Sequence, residues 1–230
     1  ADLILRADPV ELLHQIENRT EHRVEPGGDD SFARAWLAAE SEERTAIESG
    51  WTGQDAGAVH AALARSYADG ELVYTASSLP IRDQEVALPT LATDVHFMSN
   101  RGANGIDGLL ASGLGSAGAT GRPVTVITGD LGFFHDVASL ALARGLQTPV
   151  RIVVLDNGGG GIFSRLPQKT AIGPVEFEAL FGTPSGLSVE AAAKLYGLPY
   201  HRVDELDASG EWPGVPTPNG AIVLHVPVAG

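Results

Sequence analysis

Two polar residues at the ends of predicted strands are the first candidates for chemistry. Asp130 follows an apolar run at residues 124–128, and Asn157 follows a second run at residues 150–155. Both runs predict buried strands, and residues 136–147 between them have helical apolar spacing. Strands joined through a helix run parallel, so both tips point the same way and lie about 4.8 Å apart if the strands are neighbours. Mg²⁺ binds oxygen at roughly 2.1 Å, so this spacing favours one ion held by Asp130 and Asn157, with phosphate oxygens of a ligand in other positions.

A run of four glycines, residues 158–161, follows Asn157. Consecutive glycines carry a large backbone entropy cost, so we expect positive φ angles or a close approach of backbone to a ligand. The backbone amides of residues 129–132 precede the predicted helix and suit a diphosphate. An aspartate after a strand is also a common turn or cap residue, and this alternative for Asp130 stays open.

Residues 113–118 match the GxGxxG pattern of dinucleotide sites, which would make Asp130 the ribose-binding acid. That pattern should follow a strand directly, whereas residues 106–112 read as the start of a helix. Small residues at helical spacing let a helix pack closely on a sheet, and we favour this interpretation. His135, near the proposed site, is a candidate either for catalysis or for capping the following helix.

Two arginines follow predicted strands on the same rim. Arg82 comes after the strand at residues 71–75, and Arg101 comes after the strand at residues 95–98. Guanidinium groups bind carboxylates through two parallel hydrogen bonds, so this pair indicates carboxylate clamps. The alternative for Arg101 is a solvated loop arginine.

The composition excludes several classes of protein. There is no cysteine, which excludes disulfides, thiolate catalysis and cysteine-ligated zinc. A formal charge of −14 argues against nucleic acid as a partner. No apolar run approaches the roughly 20 residues of a membrane span, and the start does not resemble a signal peptide, so we expect a cytoplasmic protein. Because the chain begins without methionine, we also expect a fragment or a processed product.

Alternating strands and helices predict an α/β fold, a doubly wound and mostly parallel sheet with helices on both faces. Ligands of such sheets bind beyond the carboxyl ends of the strands. We predict a tail of a preceding domain at residues 1–28, a helical linker at 29–54 and the sheet domain at 55–230. The predicted strands are residues 3–6, 22–25, 71–75, 95–98, 124–128, 150–155, 200–203 and 221–226. The predicted helices are residues 9–18, 32–48, 56–67, 81–87, 106–120, 136–147, 175–181 and 188–196.

Four blocks of sequence, read in order, carry a family resemblance. They are residues 77–82 (SSLPIR), 99–108 (SNRGANGIDG), 129–131 (GDL) and 157–167 (NGGGGIFSRLP). The spacing of Asp130 and Asn157 is similar to the metal and diphosphate motif of thiamine-diphosphate enzymes. Together the blocks resemble 2-succinyl-5-enolpyruvyl-6-hydroxy-3-cyclohexene-1-carboxylate synthase of menaquinone biosynthesis, over about residues 55–226. The SNRGANGIDG block is the specific one.

The resemblance implies a thiamine-diphosphate-binding fold and a role for each matching residue. The cofactors would be thiamine diphosphate and Mg²⁺ or Mn²⁺, with the metal held by Asp130, Asn157 and the Gly159 carbonyl. The other cofactor-binding residues would be Ile106, Gly129, Leu131 and Gly132, with Ile106 as the apolar wedge that bends the cofactor. The substrate-binding residues would be Ser78, Arg82, Arg101, Ile162, Phe163 and Leu166. The family is a transferase: it decarboxylates 2-oxoglutarate and adds the resulting carbanion to the second anionic substrate, isochorismate.

The resemblance also implies that this chain lacks part of its active site. The family's cofactor-activating glutamate lies in a first domain that nothing here matches, so no catalytic residue is assigned to this chain. In the family the site forms between that domain of one subunit and the third domain of another. We therefore expect a homo-oligomer, a tendency to self-associate and a fragment inactive alone. Two alternatives remain: another thiamine-diphosphate carboligase or decarboxylase of the acetolactate synthase type, and a non-catalytic nucleotide-binding or assembly module.

Overall fold

The computed structural model describes residues 6–20, 30–52, 55–91, 93–100, 105–206 and 219–228. The chain divides into two units, Ala1–Ser49 and Gly50–Gly230. The first unit contains helix α1 (Pro9–Thr20) and most of helix α2 (Ser31–Gly50). The strands predicted at residues 3–6 and 22–25 lie, apart from Arg6, outside the described residues. The boundaries at residues 28 and 54 stay predictions.

The second unit is built on a parallel sheet, which confirms the predicted fold class. Its described strands have the order β2-β1-β3-β4-β6-β5, and every neighbouring pair is parallel. The strands are β1 (Leu72–Thr75), β2 (His96–Met98), β3 (Val124–Gly129), β4 (Val150–Asp156), β5 (Tyr200–Arg202) and β6 (Ala221–Pro227). The helices are α3 (Ala56–Arg65), α4 (Leu79–Ala87), α5 (Leu109–Thr120), α6 (Asp130–His135), α7 (Gln168–Ala171), α8 (Pro174–Phe177) and α9 (Val189–Leu195).

The central strands of the sheet are buried on both faces, which explains why they read as continuous apolar runs rather than alternating ones. On one face Val126 and Ile152 pack in a cluster with Leu114 of α5. On the other face Ile127 and Val153 pack in a cluster that includes residues of α3. The two central strands, β3 and β4, are therefore packed from both sides, and this packing positions their carboxyl ends.

The GxGxxG pattern lies inside α5, so it does not form the loop of a dinucleotide site. A Cβ atom at Gly113 would collide with the side chain of Val126 on β3. The glycine is needed because the helix packs closely on the sheet, which confirms the packing interpretation. Gly108 precedes the helix with φ +79°, and the helix begins at Leu109 rather than at the predicted Ile106.

The helix predicted at residues 136–147 is wrong in its start and its type. Helix α6 begins directly at Asp130 and ends at His135, and a 3₁₀ helix follows at Val137–Ala143. Asp136 separates them because its carboxylate accepts hydrogen bonds from the Leu110 amide, at 2.8 Å, and from the Ser139 hydroxyl, at 2.6 Å. This aspartate thereby serves the first turn of α5 instead of continuing a helix of its own.

The helix predicted at residues 175–181 is also divided, into α8 and a π-helical turn at Glu178–Gly182. A further 3₁₀ helix, Gly161–Arg165, follows the glycine run. Within the described ranges, no helix combines the length and apolar character that a membrane span needs.

Candidate functional site

The carboxyl ends of β3 and β4 meet at one edge of a cavity of about 560 Å³. Gly129 pairs in register with Leu155, so the residues that follow on the two strands leave the sheet side by side. Asp130, Asn157 and Gly159 all line the cavity. The structure thus brings together the three residues predicted to hold a metal.

Asp130 is a buried acid directly after the carboxyl end of β3. Its exposed fraction is 3%, and it occupies the first position of α6. Burial, and secondarily the negative charge of Asp156, raises the pKa of the Asp130 carboxyl from 3.8 to about 6, against the opposing effect of nearby backbone amides. No cationic side chain of the described residues contributes to this pKa, and a bound cation would supply a counter-charge.

Asn157 carries an unsatisfied acceptor at the same edge. Its Oδ1 atom is buried and has no hydrogen-bond partner among the described residues, whereas its Nδ2 side packs so closely on Gly161 that a Cβ atom there would collide with it. Buried polar atoms are nearly always paired, and an exception often marks a bound ion or water. An orphaned amide oxygen beside a buried carboxylate fits a divalent cation that prefers oxygen ligands.

The glycine run combines positive φ angles with close contacts to a neighbouring backbone segment. Gly158 and Gly159 have φ angles of +78° and +139°, as expected for consecutive glycines. Cβ atoms at Gly159 and Gly160 would collide with the carbonyl oxygens of Gly182 and Phe181, and the Gly160 amide donates to the Gly182 carbonyl at 2.6 Å. The close approach is therefore to a neighbouring backbone segment.

The Gly159 carbonyl keeps capacity for a ligand. Within the described part of the chain it accepts one hydrogen bond, from the Gly161 amide at 3.0 Å, and a carbonyl oxygen has two lone pairs. Among the residues that the structure describes, no cluster of three or more His, Cys, Asp or Glu side chains could hold a metal. A metal here would thus depend on amide and carbonyl oxygens in addition to Asp130.

Most of the other predicted site residues also line the cavity. They are Ser78, Ile106, Gly129, Leu131, Gly132, Ile162 and Phe163. Ile106, the predicted wedge, has an exposed fraction of 44%, although it lies in the cavity wall. Such an apolar side chain is available to pack against a ligand.

The remaining predicted residues are placed differently. Arg82 and Leu166 do not line the cavity, and the Arg82 Nη1 atom donates to the Ser78 carbonyl of the preceding turn at 2.7 Å. His135 is exposed and away from the cavity lining. Arg101 lies outside the described residues.

An ion pair at the cavity wall was not anticipated from the sequence. Arg165 Nη2 lies 3.5 Å from Asp83 Oδ1, and both residues line the cavity. Burial raises the pKa of the Asp83 carboxyl, and the positive charges of Arg165 and Arg82 oppose that rise. Arg165 is the one cationic residue in the described part of the lining. The position of Arg165 soon after the glycine run was the feature of the sequence that could have indicated its place in the cavity wall.

The comparisons with known proteins agree with this geometry. Residues 90–211 match the C-terminal TPP binding domain of the thiamine pyrophosphate enzyme family. The match covers more than half of the chain, and the chain belongs to this family.

Within the family, the chain is similar to particular synthases. It is 38% identical over 205 residues to a 2-succinyl-5-enolpyruvyl-6-hydroxy-3-cyclohexene-1-carboxylate synthase of Bacillus pumilus, a match covering 88% of this chain and 34% of the relative. It is 40% identical over 179 residues to the synthase of the same name from Myxococcus xanthus, covering 76% and 30%. The resemblance found in the sequence is confirmed, and the chain spans about a third of the length of these relatives.

Solved structures show the same fold. Benzoylformate decarboxylase from Polynucleobacter necessarius has a TM-score of 0.57 and 21% identity, covering 75% of this chain and 33% of its own. The thiamine diphosphate-dependent 4-hydroxybenzoylformate decarboxylase of Rhodococcus jostii has a TM-score of 0.58 and 22% identity, covering 78% and 33%. These likenesses confirm the predicted thiamine-diphosphate-binding α/β fold.

Proposed function

We propose that this chain carries the diphosphate- and metal-binding half of the active site of a 2-succinyl-5-enolpyruvyl-6-hydroxy-3-cyclohexene-1-carboxylate synthase. The observation that carries the proposal is the orphaned, buried Oδ1 atom of Asn157 beside the buried carboxylate of Asp130 in one cavity. Membership of the thiamine pyrophosphate enzymes and the similarity to these synthases support it.

In this proposal, Asp130, Asn157 and the Gly159 carbonyl hold Mg²⁺ or Mn²⁺. Hard oxygen ligands suit either ion, and Mg²⁺ needs several ligands beyond these three, which diphosphate oxygens and water would provide. Gly129, Leu131 and Gly132 lie along the diphosphate. Thiamine diphosphate supplies, when bound, the carbanion chemistry by which a 2-oxo acid loses CO₂.

The apolar part of the cavity positions the rest of the cofactor and the substrates. Ile106 supports the cofactor, while Ile162 and Phe163 form an apolar wall that excludes water from the reacting groups. Leu166 follows on the same segment, beyond the described cavity lining, and is proposed to bind substrate as well.

The substrates are proposed to be two anions, 2-oxoglutarate and isochorismate, joined in a transferase reaction. Ser78 donates a hydrogen bond, and Arg82 and Arg101 clamp carboxylates. Arg82 would have to exchange its hydrogen bond to the Ser78 carbonyl for a substrate carboxylate. The site is completed by another subunit, so the working form is a homo-oligomer, and this chain alone does not turn over.

The assay follows consumption of 2-oxo acids by a longer protein that contains this chain, with Mg²⁺, thiamine diphosphate and isochorismate. We expect consumption of 2-oxoglutarate in preference to pyruvate, and no product from the 230-residue chain alone. Preference for pyruvate would contradict the substrate assignment, and turnover by the isolated chain would contradict the half-site.

A further inference from the structure

Three side chains from different strands form a hydrogen-bonded chain that ends at the glycine run. The Tyr200 hydroxyl on β5 lies 2.9 Å from Nδ1 of His225 on β6. Nε2 of His225 lies 2.8 Å from Oδ2 of Asp156, at the end of β4. Oδ1 of the same carboxylate accepts a hydrogen bond from the Gly158 amide at 3.0 Å. The chain thus runs from the edge of the sheet to the proposed metal site.

The donors and acceptors along this chain are mutually consistent. A carboxylate only accepts, so Nε2 of His225 donates to Asp156, and an Nδ1 atom without a proton accepts from the Tyr200 hydroxyl. His225 has an exposed fraction of 8%, so little water competes for these bonds. Networks in which every member is paired hold their side chains in one arrangement, and here His225 is the buried centre between two partly exposed partners.

Hydrogen bonds hold the Asp156 carboxylate away from the proposed metal position. Because Gly129 pairs with Leu155, Asp156 leaves β4 beside the point where Asp130 leaves β3. Both of its oxygens are engaged, one by His225 and one by the Gly158 amide. The strand end therefore presents the free amide oxygen of Asn157 to the cavity, and not a second carboxylate.

Two backbone amides of the glycine run donate hydrogen bonds to residues outside the run. The Gly158 amide is bound to Asp156, and the Gly160 amide is bound to the Gly182 carbonyl. Gly159, whose carbonyl is a proposed ligand, lies between them. Loss of the first hydrogen bond would free the half of the loop that carries both Asn157 and Gly159.

We propose that Asp156, fixed by His225 and Tyr200, is a positioning residue that sets the Asn157–Gly159 turn for the divalent metal. The inference rests on the proposed function, since that function supplies the metal. Residues that orient metal ligands typically change metal affinity by about 10–100-fold when they are removed.

The test uses Mn²⁺ with thiamine diphosphate, and the free ion is measured by electron paramagnetic resonance in the 230-residue chain. His225→Leu removes the donor to Asp156 and should weaken Mn²⁺ binding by about tenfold or more. His225→Gln keeps an N–H donor and should restore most of the affinity. Tyr200→Phe removes only the far hydroxyl and serves as the matched control, with a smaller loss than His225→Leu.

A second readout separates this inference from the proposed function. Hydrogen exchange of the Gly158 amide in the metal-free protein should be faster in His225→Leu than in wild type. Unchanged exchange, or Mn²⁺ affinity equal to wild type in His225→Leu, would overturn the positioning role, as would an equal loss in the Gln and Leu variants. Failure of wild type to bind Mn²⁺ with thiamine diphosphate would overturn the proposed function itself.

Discussion

Replacing Asp130 by asparagine should make the metal-free protein more stable above pH 6. The pKa of the Asp130 carboxyl is raised from 3.8 to about 6, first by burial and then by the charge of Asp156. One pKa unit corresponds to about 1.4 kcal/mol, so ionisation of Asp130 opposes folding by roughly 3 kcal/mol. Asparagine keeps the size of the side chain and removes the charge.

The sign of the pH dependence follows from linkage. Below pH 3.8 the carboxyl is protonated in both states, so wild type and Asp130→Asn should have similar free energies of unfolding. Between about pH 4 and 6 the unfolded chain loses this proton first, so wild type loses stability relative to the variant. Above pH 6 the difference should level off at roughly 3 kcal/mol, which for a domain of this size is roughly 6–12 °C in Tm.

The assay is urea unfolding in a metal chelator from pH 3.5 to 8, analysed as the difference between the two proteins. The control is Asp107→Asn, which changes the formal charge equally at an exposed residue of the same cavity. A variant that is no more stable than wild type above pH 6, or a gain shared by the control, would refute the reasoning.

Three further predictions concern single residues of the sheet domain. Gly159→Ala should abolish cofactor-dependent stabilisation, because its φ of +139° and the facing carbonyl exclude a Cβ atom, whereas Gly158→Ala, with open space, should lose only about 1–2 kcal/mol of stability. Gly113→Ala should destabilise the fold by about 1–3 kcal/mol in urea unfolding through overpacking. Gly115→Ala in the same helix, where no described atom lies within 4 Å of the added Cβ, should stabilise the fold by about 0.5–1 kcal/mol. Burial lowers the pKa of His60 from 6.5 to about 4, so wild type should lose roughly 3 kcal/mol relative to His60→Leu as pH falls from 6.5 to 4.

Each of these predictions has a direct counter-result. Equal cofactor-dependent shifts in Gly158→Ala and Gly159→Ala would show that the loop geometry described for Gly159 is not required for binding. Equal stabilities of the two α5 variants would contradict the close packing of that helix on β3. Parallel stability curves for wild type and His60→Leu between pH 4 and 6.5 would contradict a neutral, buried imidazole.

The parallel sheet could be predicted from the sequence because its central strands are buried on both faces. Each strand therefore appears as an uninterrupted apolar run, and Asp130 and Asn157 mark where the two central runs stop. The edge on which these residues meet follows from the parallel connection alone. That part of the site needed no knowledge of distant contacts.

The features that the sequence did not predict depend on partners far along the chain. Asp136 ends α6 because its carboxylate binds the Leu110 amide, 26 residues earlier, and no local pattern indicates that contact. The pairing of Asp156 with His225 joins residues 69 positions apart. A histidine in a strand and an aspartate at a strand end are each unremarkable until β4 and β6 are known to be neighbours.

The most direct test of the central claim is a thermal melt of the 230-residue chain with Mg²⁺, with and without thiamine diphosphate, on wild type and Asp130→Ala. A ligand that binds only the folded state adds RT ln(1 + [L]/Kd), about 2.7 kcal/mol at a hundredfold excess over Kd. We predict a rise in Tm for wild type that requires both Mg²⁺ and thiamine diphosphate and is absent in Asp130→Ala. No shift in wild type, or an equal shift in both proteins, would contradict a metal and diphosphate site at Asp130.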